Sequence, residues 1–131
     1  MTSKSVVNVP GYYRPIGPYS HIIATNDLLF LAMQTPMKPD GMSKEFVGKD
    51  IKKQTRQTLN NIKQLLESAG SSLKKVVKVT AYLSRSEDFS EMNEAYKEFF
   101  QEEPPARSVA KLGIEMPNLL VAFDVIALKG S

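Results

Sequence analysis

From Leu119 to Leu128 the chain is apolar at nearly every position, with Asp124 the one charged interruption. A strand that meets water on one face alternates apolar with polar residues, whereas a run that is apolar in both parities is read as buried on both sides. The fold must therefore supply cover for two sheet faces. Two helices are legible as candidates. Ile51, Leu59, Ile62, Leu65, Leu66 and Ala69 fall near one face of a helix between Asp50 and Ala69, with Asp50 as N-cap and Gly70 as C-terminal stop. A second helix is predicted from Phe89 to Gln101, with Phe89, Met92, Tyr96, Phe99 and Phe100 on one stripe and Pro104 and Pro105 ending it.

The remaining elements are predicted as strands: Ser20–Ala24 and Leu28–Met33 joined by a hairpin turn at Asn26-Asp27, then Leu73–Leu83, Arg107–Leu112 and Leu119–Leu128. Pro36, Pro39, Asp40 and Gly41 mark a loop. Strands, helix, strand, helix and two strands make an α+β domain, a mixed sheet with both helices on one face. Two helices cover only one side of the sheet. The other side predicts an oligomer.

At 131 residues the chain reads as one domain, residues 1–131, and its 42% hydrophobic and 24% charged residues are those of a soluble globule. It has no cysteine, so disulfides, thiolate metal sites and a thiol nucleophile are excluded. His21 is the only histidine, which makes a histidine metal site or a hydrolytic triad hard to assemble. No apolar run approaches the roughly 18 residues that span a membrane, and no secretory signal opens the chain, so the expected location is cytoplasmic. The net charge of +3 is spread along the helices and reads as solubility chemistry rather than a nucleic-acid surface.

Pro104-Pro105-Ala106-Arg107-Ser108 is the strongest local candidate for a binding site. Proline stiffens the backbone ahead of Arg107 and biases it toward extended geometry. A guanidinium on such a support presents a planar fork of donors matched to a carboxylate or phosphate. Taken alone, it is also what a surface arginine after a Pro-terminated helix looks like.

Further segments accompany this motif in order: Ile16-Gly17-Pro18-Tyr19-Ser20, Gln34-Thr35-Pro36, Leu59-Asn60-Asn61, Ala69-Gly70, and Asp88-Phe89 with Asn93, Tyr96 and Phe99. From about Ser5 onward the chain resembles the RidA/YjgF family. That resemblance implies a chorismate-mutase-like α+β fold, a homotrimer with helices outside, and ligand clefts between subunits. It implies hydrolysis of reactive enamines and imines, such as 2-aminoacrylate and 2-iminobutanoate, to 2-keto acids and ammonia, without cofactor or metal. These intermediates come from pyridoxal-phosphate dehydratases acting on serine or threonine. By the same resemblance Arg107 pairs with the substrate carboxylate, the Val109 carbonyl helps hold the water, and Tyr19, Ala32, Met33, Gln34, Asn93 and Ala122 line the cleft.

The chain departs from the family pattern at four positions. Deaminases of the family usually carry Ser-Gly before the glutamine, where this chain has Ala32-Met33, and a glutamate on the last strand, where it has Ala122. Asp124 lies on the same face as Ala122 but about 7 Å further along the strand. Val109 replaces a common cysteine, at no cost to a role played by the backbone. Two readings stay open: an enamine/imine deaminase, or a non-catalytic binder of small carboxylates with a regulatory role. RNA binding or cleavage, also attributed to the family, has no basic stripe interleaved with aromatics to support it. His21 is expected to be structural, Tyr12 and Tyr13 to be packing or rim residues, and the stripe of Phe89, Tyr96, Phe99 and Phe100 to be core.

Overall fold

The computed structural model describes residues 2–38 and 45–130. Pro36 of the expected loop lies inside that range, and Pro39, Asp40 and Gly41 lie outside the described residues. The strands are β1 (Ser5–Val6), β2 (Ile22–Ala24), β3 (Leu28–Gln34), β4 (Val76–Leu83), β5 (Ala106–Lys111) and β6 (Val121–Leu128), and the helices are α1 (Ile51–Ser68) and α2 (Phe89–Lys97). The strands form one sheet in the order β1-β2-β3-β6-β4-β5. Every pairing is antiparallel except β4 with β5, which is parallel. The mixed sheet with two helices on one face is as expected.

α1 begins and ends where its caps dictate. Lys53 N–H donates to Asp50 Oδ2 at 2.9 Å, and Gly70 adopts φ +81° just beyond the helix, a left-handed conformation that glycine adopts without steric cost. Its apolar stripe of Leu59, Ile62, Leu65 and Leu66 is fully buried in the same core as Val79, Val121, Phe123 and Val125 of the sheet. The β2–β3 hairpin closes through Thr25 N–H to Leu28 O at 2.9 Å, around Asn26-Asp27.

Several boundaries differ from expectation: β2 begins at Ile22 rather than Ser20, β3 runs to Gln34, and β5 spans Ala106–Lys111 rather than Arg107–Leu112. α2 stops at Lys97 rather than Gln101, because Glu98 and Phe99 N–H turn back to the carbonyls three residues earlier. That tightening ends the helix well before Pro104. Leu73–Lys75 is a 3-10 turn leading into β4, and β6 starts at Val121 rather than Leu119. Ser5–Val6 adds a short edge strand with too few residues for any pattern to reveal.

Along β6, Val121, Phe123, Val125 and Ala127 are buried with the helices, while Ala122, Asp124, Ile126 and Leu128 project to the opposite face. That second face carries no helix. Phe30 (39% exposed), Leu128 (44%) and Val6 (55%) stand open on it. On β6 itself the helix-free face is only partly covered in a single chain: Ala122 is buried, Asp124 and Ile126 are half-buried and Leu128 is exposed.

Candidate site at the sheet edge and the Tyr19 groove

Arg107 sits on β5, the edge strand, with Val79 of β4 as its parallel partner. It shares the helix side of the sheet with α2, and that geometry holds it. Arg107 Nη1 donates to Asn93 Oδ1 at 2.7 Å, and the guanidinium carbon lies 4.8 Å from the Tyr96 ring centroid and 5.9 Å from that of Phe89. A flat cation stacked on π faces keeps its in-plane donors directed outward. Among the described residues no carboxylate pairs with Arg107, whereas Arg56 and Arg85 are each held by one. Burial pushes the Tyr96 hydroxyl up to about 12, against a smaller opposing pull from Arg107. The platform is therefore a neutral phenol at physiological pH.

Val109 lies two residues along, on the same side as Arg107, and is exposed. Leu112 N–H donates to Leu83 O at 2.8 Å, so by the alternation of backbone groups Arg107 and Val109 turn their carbonyls off the free edge. An unpaired carbonyl beside a cation is an acceptor available to water.

The other expected residues gather elsewhere. Tyr19 precedes β2 and is exposed. Its backbone N–H closes a tight turn onto Gly17 O at 2.9 Å, and its ring packs edge-on against His21 at 5.8 Å. It opens onto a groove of about 690 Å³ shared with Tyr12, Tyr13, Arg14 and His21. Ala32 and Met33 are half-buried in β3 at a register shift between Leu31 and Gln34. Met33 therefore lies within the bulge rather than across a flat strand. Ala122 is fully buried, with Tyr82 as its cross-strand partner.

Gln34 is a support rather than a cleft wall. It is fully buried and accepts from Tyr12 Oη at 2.7 Å, while its amide nitrogen donates to Ala32 O at 3.1 Å and lies 3.2 Å from His21 Nδ1. A carbonyl can only accept, so the Gln34 nitrogen must face Ala32 O. His21 Nδ1 is then the acceptor, and its Nε2–H donates to Tyr13 O at 2.9 Å. Both ring nitrogens of His21 are engaged, as a structural histidine requires, and burial holds its pKa below the usual histidine range. Tyr12 and Tyr13 stack at 4.9 Å within the core, consistent with packing.

Neighbouring strands lie about 4.8 Å apart, so Arg107 on β5 is some 14–19 Å across the sheet from the Ala32–Met33 bulge and Tyr19. One chain brings Arg107, Asn93 and Val109 together and, separately, Tyr19, Ala32, Met33 and Gln34. It does not bring the two groups together. Sequence reasoning missed Tyr96 and Phe89 as the cradle of Arg107, Arg14 beside Tyr19, and a hydrogen bond from Tyr82 Oη to Asp124 Oδ2 at 2.8 Å. Aromatic residues on a helix stripe read as core, and no local signal separates a core ring from one that also carries a cation. Among the described residues no three His, Cys, Asp or Glu side chains cluster to hold a metal ion, and no helix is long and apolar enough to cross a membrane.

Comparison with known proteins gives a consistent answer. Residues 12–129 match the family described as endoribonuclease L-PSP. A RutC family protein from Pyrococcus horikoshii is 44% identical over 126 residues, covering 96% of this chain and 98% of the relative. A protein from Dermatophagoides farinae named 2-iminobutanoate/2-iminopropanoate deaminase is 32% identical, covering 98% of each chain. In structure, a Rid family protein of unknown function from Yersinia pestis superposes with a TM-score of 0.87 at 36% identity, covering 96% of this chain and 99% of the other.

Proposed function

We propose that this chain, which belongs to the YjgF/RutC/RidA family, hydrolyses small 2-imino and 2-enamino acids to 2-keto acids and ammonia, in clefts between copies of a homotrimer. One observation carries the reading. Arg107 is stacked on Tyr96, oriented by Asn93 and left without a carboxylate among the described residues, so its remaining donors suit a substrate carboxylate. The free carbonyl of Val109 stands beside it as an acceptor for the attacking water. Binding the carboxylate fixes the imine carbon relative to that water, which turns an encounter into an oriented reaction. The similarity to a protein named as a deaminase supports the choice of substrate class.

Assembly follows from two features of the molecule. The helix-free face exposes Phe30, Leu128 and Val6, and covering them removes apolar surface from water. Tyr19 and the Ala32–Met33 bulge are too far from Arg107 in one chain to share a small ligand, so a second copy must bring them to it. A competing reading, a carboxylate binder that has lost the reaction, draws on Ala32 and Ala122 at positions where the family's deaminases carry serine and glutamate.

A coupled assay tests both. Threonine dehydratase generates 2-iminobutanoate, and the purified protein is added at increasing concentration. Keto-acid formation should accelerate with the wild type and return to the uncatalysed rate with Arg107→Ala, while 2-oxobutanoate binding is lost in the variant. Binding of 2-oxobutanoate by the wild type without acceleration would select the binder, and binding unaffected by Arg107→Ala would remove Arg107 from the site.

A further inference from the structure

Imine hydrolysis moves protons as well as heavy atoms. Arg107 and a backbone carbonyl can hold substrate and water, but neither is a base able to take the water's proton. The helix-free face of the sheet carries a group that is. Tyr82 on β4 is the cross-strand partner of Ala122, yet its hydroxyl donates to Asp124 Oδ2, one pleat further along β6. The phenol therefore runs diagonally past Ala122, which is fully buried although no helix covers that side. Tyr82 and Asp124 are both half-buried, and among the described residues the second carboxylate oxygen has no partner. The hydrogen bond to Asp124, burial and the carboxylate's charge together push the Tyr82 hydroxyl up, so it stays a donor at neutral pH.

The surroundings make this pair hard to explain by stability. Phe30, Ile126 and Leu128 share the same face, and a second copy laid over them would strip water from an ionised carboxylate. Such burial costs free energy that a single phenol hydrogen bond does not recover. Around Asp124 on this face, β4 contributes Lys78, Thr80 and Tyr82. β3 contributes Phe30 and Ala32, and β5 contributes Ser108 and Ala110. Lys78 donates to Ser108 Oγ at 2.9 Å, so the titratable groups facing Asp124 are Tyr82 and Lys78 alone among the described residues.

We propose that Asp124, oriented by Tyr82, is the proton acceptor for the attacking water, presented from the helix-free face of one copy to the Arg107 and Val109 of another. Within one chain they lie on opposite sides of the sheet. The proposal rests on the deaminase reading. In the addition step the water oxygen bonds to the carbon of the protonated imine, one water proton passes to Asp124, and the C=N π pair settles on nitrogen. In the elimination step that proton returns from Asp124 to nitrogen and the C–N bond breaks with its pair on ammonia. The hydroxyl proton then passes to Asp124 as the C=O bond forms, and ammonia carries it away as ammonium. Protonated imine and water become keto acid and ammonium, and the carboxylate is regenerated. Asp124 is thus a catalytic residue and Tyr82 a positioning residue.

The same 2-iminobutanoate assay, read as kcat, KM and a kcat–pH profile, tests the assignment. Asp124→Asn is isosteric and should lower kcat by about 10²-fold or more, the usual contribution of a general base, with KM little changed and the acid limb of the profile gone. Asp124→Glu keeps the carboxylate and should recover much of the rate. Tyr82→Phe removes the hydrogen bond that orients the carboxylate, so kcat should fall with KM little changed, a split that lost packing alone would not produce. Wild-type kcat and an unmoved acid limb in Asp124→Asn, with Arg107→Ala inactive, would overturn the assignment and leave the deaminase reading standing. No acceleration by the wild-type protein would overturn both.

Discussion

His21 shows how much one side chain inherits from its neighbours. Gln34 faces Ala32 O with its nitrogen, so His21 must accept at Nδ1 and donate at Nε2, and a second ring proton would meet another donor. Burial lowers its pKa, with the Tyr13 carbonyl opposing as the smaller influence. The folded protein then binds fewer protons than the unfolded chain wherever pH lies between the depressed value and about 6.5. The stability tied to His21 is complete above that pH and is lost as pH falls through it toward the depressed folded value. Urea midpoints measured from pH 7.5 to pH 5 should decline in the wild type and decline less in His21→Gln. Gln34→Leu removes the partner of both Tyr12 and His21 and should cost about 2–4 kcal/mol in the same experiment, since two buried polar groups are left unpaired.

At the scale of elements, what is local is legible. α1 was readable from its apolar period and its two ends, because periodicity and caps are properties of neighbouring residues. Gly70 tests this directly. An added Cβ would meet nothing within 4 Å, so the cost of Gly70→Ala is backbone strain at φ +81°, about 1–2 kcal/mol. Gly113 is equally open but has no positive φ, and Gly113→Ala should leave the urea midpoint within error. The β3 bulge is the opposite case. Without it Gln34 would share the parity of Leu28 and Phe30 and face the helix-free side. One extra residue at Ala32–Met33 turns it into the core opposite Phe123. Gln34 was expected in the cleft from the family resemblance, and nothing in the run LLFLAMQ marks where the pleat slips.

The whole molecule leaves one sheet face without helices. If copies associate through it, a charge in its apolar half should separate them without unfolding the chain, because the side chain is already exposed in the monomer. Phe30→Asp is the test, since Phe30 lies opposite Ile126 on that face and outside the helix-side core. Sedimentation should show a folded monomer with far-UV circular dichroism preserved and, on the deaminase reading proposed above, activity lost although Arg107 is untouched. A Phe30→Asp protein that stays assembled and active would place the interface elsewhere.

The Arg107 motif, the hairpin, α1 and the two-sided apolar demand of the last strand were all determined by short-range order: proline stiffness, turn residues, helical period, strand parity. The tertiary structure alone decided what those pieces meet. Parallel pairing of β5 with β4 sets Arg107 beside Asn93 and Tyr96, and the register of β6 on β4 lets Tyr82 reach Asp124. Such contacts join residues 11 to 42 positions apart, and their geometry depends on strand order and register, which no local pattern encodes.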